Sequence, residues 1–280
     1  MVTSRHVLKR SIELASEKGA SNWLSVLPLQ EYNFSLHKTA FHDAVALRYG
    51  WDPARLPQHC ACGTKFTVEH SFTCPKGGFP SIRHNEIRDL TASLLTEVCH
   101  EVDVEPHLQP ITGEQFTLAS SNIEDGARLD ISANGFWGGR CEKTYIDVKV
   151  FNPHAPSNRT TSASAIYRRH ELCKKRSYEA RIREVEQSSF TPLIFSATGG
   201  MANEATMFYK RLASLLSDKW DSNYAAVMGW IRCCLSFSLL RSAIRCLRGS
   251  RSSKGSFGHS LGSAPIDLIQ VESRLPLIKQ

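Results

Sequence analysis

The stretch ARLDISANGFWGGRCEKTYIDVKVFNP, residues 127–153, sets Asp130, Asp147 and Lys149 inside two otherwise apolar segments separated by a glycine-rich turn. In an extended chain, residues two apart share a face. Ile146, Val148 and Val150 therefore fall on one side of their strand, Asp147 and Lys149 on the other, and Asp130 points away from Leu129 and Ile131. If the two strands pair, both carboxylates converge with an ammonium beside them. Hard carboxylate oxygens suit Mg2+. A polarised phosphoryl oxygen and an activated water are the means of phosphodiester hydrolysis, and an ammonium can stabilise the charge that develops. The competing reading is a surface Asp147–Lys149 ion pair, worth little. The setting favours the metal site, because this is the only acidic-x-Lys in the chain and it interrupts an apolar strand.

A second constellation, CACGTKFTVEHSFTC, spaces Cys60, Cys62, His70 and Cys74 as C-x-C-x7-H-x3-C. Three thiolates and an imidazole make a closed tetrahedral Zn2+ site of structural type. Such a site holds together a small module with little core of its own. The one-residue gap between the first two cysteines is tight, which leaves His59 as a competing ligand and free buried cysteines as the alternative.

A chain of 280 residues has room for one large domain, or a core domain with a small satellite. Its 41% hydrophobic and 22% charged content is ordinary for a globular protein. The net charge of +7 favours a polyanionic partner. Nine cysteines, an odd number, with no signal peptide at the start argue against a secreted disulfide framework and for the nucleus or cytoplasm. The apolar run from Tyr224 to Ile244 is broken by Arg232 and Arg241, so it reads as a buried amphipathic helix and not a membrane span.

Residues 1–56 carry apolar positions at helical spacing, broken by Pro28, and 57–79 hold the knuckle. A helix follows Pro80, with Ile87, Leu90, Leu94, Leu95 and Val98 on one face. Alternation at 102–106, the two strands of the opening stretch, a basic helix near 163–187 and a strand at 190–197 come next. Pro192 assigns that last strand to an edge or to its own start. Helices near 202–219 and 223–248 complete a region running from 80 to 248, and 249–280 reads as a disordered tail. The order predicts an α/β fold with a small mixed sheet flanked by helices.

The ordered set of the Cys-Cys-His-Cys knuckle, Arg83-His84-Asn85, Asp130 and Asp147-Val148-Lys149 resembles the C-terminal portion of site-specific non-LTR retrotransposon polyproteins. Those carry a zinc knuckle followed by a restriction-like endonuclease of the PD-(D/E)XK type. The resemblance spans about residues 60–197 and implies a restriction-endonuclease-like core that nicks target DNA with a divalent metal. It makes Asp130 and Asp147 the two acids and Lys149 the lysine, with Leu129 where the motif has proline. Glu86 is the candidate for an acid on the helix and Glu105 its competitor. The stretch from Tyr167 to Tyr178, with Arg168, Lys174 and Lys175, resembles the family's basic helix, which implies phosphate contacts; Arg83 and His84 join it as nucleic-acid-binding candidates. The expected partner is DNA, or RNA, and no membrane.

Plainer readings stand beside these. Polar residues at 83–85 suit a helix start, and Glu171, Glu179, Glu184 and Glu186 make the basic helix a candidate solvated face. Trp137, in the turn, either stacks on a base or packs over the sheet edge. The G-x-S-x-G at 258–262 lies in a Ser/Gly-rich tail without its strand–turn–helix context and is rejected. No Tyr-x-Asp-Asp occurs, so the alternative function is an inert nucleic-acid-binding remnant of such an element.

Overall fold

The computed structural model describes residues 5–111, 127–139 and 141–251. Four strands form one sheet in chain order: β1 His100–Val104, β2 Ile131–Asn134, β3 Lys143–Phe151 and β4 Ser189–Ser196. The first three run antiparallel and β4 lies parallel to β3. A parallel return needs a long crossover, supplied by the helix α6 (Ala163–Glu184). As Pro192 requires, β4 is an edge strand; the proline sits opposite Asp147.

Helices cover both faces of the sheet, which explains why β3 is buried without a break from Thr144 to Val148. On one face Ile131, Ile146, Val148, Leu193 and Phe195 meet α5 (Phe79–Thr96), α7 (Asn203–Lys219) and α8 (Tyr224–Arg248) in the main core. On the other face Tyr145, Phe151 and Ile194 pack under Ile166, Tyr167 and Ile182 of α6. The alternation expected in β3 is found. Asp147 and Lys149 lie between Tyr145 and Phe151 on the face that α6 covers.

The N-terminal residues are helical as expected: α1 Arg5–Ala15, α2 Asn22–Ser25, a 3-10 turn at Gln30–Tyr32 and α3 Lys38–Tyr49. They do not form a core of their own. Trp23, Phe34 and Ala44 belong to the main core, and the Phe34 ring stacks on Phe237 of α8 at 5.1 Å. Gly50 ends α3 in the left-handed conformation (φ 66°), donating to Ala46 O and Leu47 O. The expected break at residue 56 therefore marks a change of composition and not of core.

By length and composition α8 could cross a membrane, yet most of it is buried inside the protein. Its arginines fasten neighbouring elements. Arg241 donates to Asn33 O and Ser35 O (3.0 Å to the latter), Arg245 pairs with Glu86, and Arg248 grips the buried Asp43 of α3 through Nε at 2.7 Å and Nη2 at 2.5 Å. Trp137 donates Nε1–H to Thr191 Oγ1 at 3.0 Å and lies edge-on to Phe136 and Phe208, which is the sheet-edge packing and not a free stacking platform. The G-x-S-x-G and residues 252–280 of the tail lie outside the described residues.

Where the N-terminal helices meet α8 and the helix α4 (Val68–Thr73), a cavity of about 420 Å3 remains, bounded by Leu14, Trp23, Leu47, Phe72 and Leu240. His154 forms part of its wall; burial, with the charges of Arg10 and Arg159, lowers its pKa to about 4. Between that value and the unfolded value of about 6.5 the folded state binds fewer protons. Its contribution is complete above about pH 6.5 and is lost as pH falls toward 4. His154→Gln should flatten the change in urea midpoint between pH 7 and pH 4.5 relative to the parent chain. Asp43→Ala, which leaves Arg248 without its carboxylate, should cost about 3 kcal/mol in urea unfolding.

Candidate metal centre and carboxylate site

The knuckle is built on a tight turn. Gly63 (φ 86°) lets Gly63 N–H reach Cys60 O, Cys60 N–H donates to Thr64 O, and His59 bridges to Lys65 across the turn. This brings Cys60 and Cys62 to one side, facing α4. His70 on α4 and Cys74, the residue just past its end, are four apart and are held together by Cys74 N–H donating to His70 O at 2.9 Å. The four ligand atoms all lie within 4.8 Å of one another, with Cys60 Sγ–Cys74 Sγ at 3.7 Å and Cys62 Sγ–His70 Nε2 at 3.3 Å. A tetrahedron with metal–sulfur bonds of about 2.3 Å has edges of about 3.8 Å. These four side chains can therefore hold a metal ion such as zinc, and the tight C-x-C gap does not prevent it. His59 is not in the cluster. Hydrogen bonding by Thr64 lowers Cys62 to about 6, toward the thiolate that a metal requires.

The carboxylate site follows from strand register. The pairing of Ile131 with Ile146 begins β2, and Asp130, the residue just before it, donates its N–H to Ile146 O at 3.2 Å. This sets the Asp130 carboxylate close enough to Asp147 for its charge to act there. Asp130 Oδ2 accepts from Val148 N–H at 2.5 Å and Oδ1 faces His84 Nε2 at 2.9 Å. Lys174 Nζ stands 2.7 Å from Asp147 Oδ2, a close ion pair. The Lys174 ammonium also lies 5.5 Å from the centre of the Tyr178 ring.

Burial pushes Asp147 up to about 6; the like charge of Asp130 adds to this and Lys174 opposes it. Burial disfavours a charged His84, but the hydrogen bond and charge of Asp130, with Asp147 behind, raise it above its ordinary value. Lys149 is lowered by burial and by the neighbouring Lys174 charge, whereas Lys174, though buried, is raised by Asp147. The result is a compact group of two acids, two amines and an imidazole drawn from the residue before β2 and from β3, α5 and α6.

No protein-family model matches this chain, and no curated protein matches it either. The residues alone carry the reading.

The structure brings Asp130, Asp147, Lys149, His84 and Lys174 together and separates other candidates from them. Glu86 is two residues from His84 on α5, about 200° around the helix, and is held by Ser242 and Arg245 of α8, so it does not join the acids. Glu105 lies on the Asp130 side: its N–H donates to Asp130 O at 2.9 Å, while Arg88 and Arg128 hold its carboxylate. Arg83 is buried and spends its donors inside the protein, on Phe72 O at 3.3 Å and Val150 O at 3.5 Å. Tyr167 is buried as well, donating to Glu17 at 3.0 Å with its ring edge-on to Phe151. Lys174 and Lys175 are committed to Asp147 and to Glu204 (2.7 Å), leaving Arg168 as the exposed cation of that set.

Sequence reasoning missed Lys174 as the partner of Asp147, and Tyr178 beside it. Their signal was the four-residue repeat His170, Lys174, Tyr178, Ile182, a single stripe down α6. For the knuckle, elemental analysis should find one zinc per chain. Cys74→Ser should lose it, and chelation should lower the melting temperature of the parent chain but not of that variant; a parent chain without metal would remove the assignment.

Proposed function

We propose that this protein is a divalent-metal-dependent DNA endonuclease with a restriction-like PD-(D/E)XK core and a structural zinc knuckle, derived from a retrotransposon. The observation that carries the reading is the gathering of Asp130 and Asp147 beside Lys149 and Lys174, with the Asp130 carboxylate held by Val148 N–H and Asp147 buried on a covered sheet face. The donor set fits Mg2+: two carboxylates close together, one of them, Asp147, almost wholly buried. When bound, the ion would polarise the phosphoryl oxygen and acidify its water.

The chain's own groups do the remainder. Asp130 and Asp147 hold the cation, and His84 fixes the orientation of Asp130 through its 2.9 Å contact. Lys149, half-buried and with its pKa lowered, lies on the same face as Asp147 and can donate a hydrogen bond to the charge forming on phosphorus-bound oxygen. Lys174 neutralises Asp147 until the carboxylate is needed. Glu105 is the better placed third acid, since Glu86 faces α8. A second reading, an inert nucleic-acid-binding remnant, draws on the same Lys174–Asp147 pair, which already satisfies the acid without a metal.

Purified protein should convert supercoiled plasmid to the relaxed form with Mg2+ and not with chelator. Asp147→Ala should abolish nicking and Lys149→Ala reduce it by roughly 100-fold. DNA retention by the parent chain without nicking, under the same conditions, would favour the inert reading. A readout independent of turnover is Lys174→Met. Removing the ammonium leaves Asp147 beside Asp130 without a counter-charge, so the variant should unfold at lower urea, and added Mg2+ should recover more of its stability than of the parent's.

A further inference from the structure

A cleft of about 550 Å3 opens between α6, the start of α7 and the middle of α8. On α6 it takes Ser164, Arg168 and Glu171, a face turned roughly 90° around the helix from Lys174. Asn203 and Thr206 come from α7, Met228 and Arg232 from α8, and Glu17 and Lys18 from the residues after α1. The cleft is therefore distinct from the carboxylate site, although α6 lines both.

The acids of this cleft have partners and the bases do not. Glu17 accepts from Tyr167 Oη–H at 3.0 Å, and burial shifts its pKa upward. Glu171 Oε1 accepts from Glu204 N–H at 2.9 Å and so caps the start of α7. Lys18, Arg168 and Arg232 have no hydrogen-bond or carboxylate partner among the described residues. Arg232 is the telling case. Arg241, Arg245 and Arg248 on the same helix each reach an oxygen, while Arg232, half-buried, reaches none. A guanidinium presents five donors in a fixed plane, and none of the Arg232 nitrogens is sealed off from solvent, so all are open to an acceptor entering the cleft.

We infer that the acceptor is a phosphate group, and that this cleft is a phosphate-binding site formed by Arg168, Arg232 and Lys18. A guanidinium fork matches two phosphate oxygens at once, and the amide of Asn203 can serve a third. The source assigned is the backbone of a nucleic acid, consistent with the DNA substrate proposed above; the phosphate chemistry itself does not depend on that proposal.

The test uses the full zinc-loaded chain and inorganic pyrophosphate, followed by calorimetry at low and high salt. Pyrophosphate should bind, weaken as salt rises, and lose at least about tenfold in affinity in both Arg232→Met and Arg168→Met. Arg183→Met, at an exposed position on the last turn of α6, should bind as the parent does. A short DNA duplex should displace the pyrophosphate. Absence of binding, or unchanged affinity in both cleft variants, overturns the site; pyrophosphate that duplex DNA does not displace overturns the nucleic-acid source. Asp147→Asn should keep pyrophosphate binding whether or not the chain nicks DNA, which separates this inference from the nuclease reading.

Discussion

Holding a carboxylate under a helix, at the centre of a sheet, is the constraint around which this molecule is arranged. Asp147 is almost wholly withdrawn from water, and a buried charge persists only with a partner. The partner is Lys174, delivered by the crossover helix that β4 requires in order to lie parallel to β3. Asp130 is held in turn by a backbone amide and by His84 from the opposite layer. Sheet, crossover and α5 thus meet at one cluster of charges, and each element's position is tied to a specific contact there.

α8 plays the corresponding role for the rest of the fold. It offers apolar surface to the sheet layer and to the N-terminal helices, and its arginines reach acceptors on elements far away in the chain. The knuckle is joined to the same framework. Phe72 of α4 packs with Phe79, Ala243 and Cys246, and Arg251 lies over the Phe66 and Phe79 rings at 5.0 and 4.6 Å while donating to Ser71 O. A metal held in the knuckle would therefore stiffen the main body as well as its own loop.

Much of this was legible in the residues, for physical reasons that also show where legibility stopped. Period-two alternation placed Asp147 and Lys149 on one face of β3, and ligand spacing picked out the four knuckle residues that come together. Pro192 left its strand either at an edge or beginning at the proline, because a missing N–H is tolerated in both places; the structure has the edge, with the strand starting earlier, at Ser189. Spacing along one helix could not say which face meets which neighbour. Glu86 looked available for the acid pair but turned to Arg245, a residue 159 positions away. Arg83, beside the helix start, and Tyr167, in the stretch resembling a basic helix, are both buried, which the residue types do not announce. Lys174 pairs with Asp147, since an ammonium that suits phosphate suits a buried carboxylate equally well.

The N-terminal helices close against the far end of the chain: Trp23 N–H donates to Ser236 Oγ across 213 positions, and Arg241 reaches Asn33 O across 208. During synthesis, Trp23 and Phe34 emerge long before the surface that covers them exists. Loop closure over such separations is entropically costly and slow. Until α8 has been made, these helices expose oily side chains to solvent, making them the stretch on which chaperone capture or early clumping should concentrate.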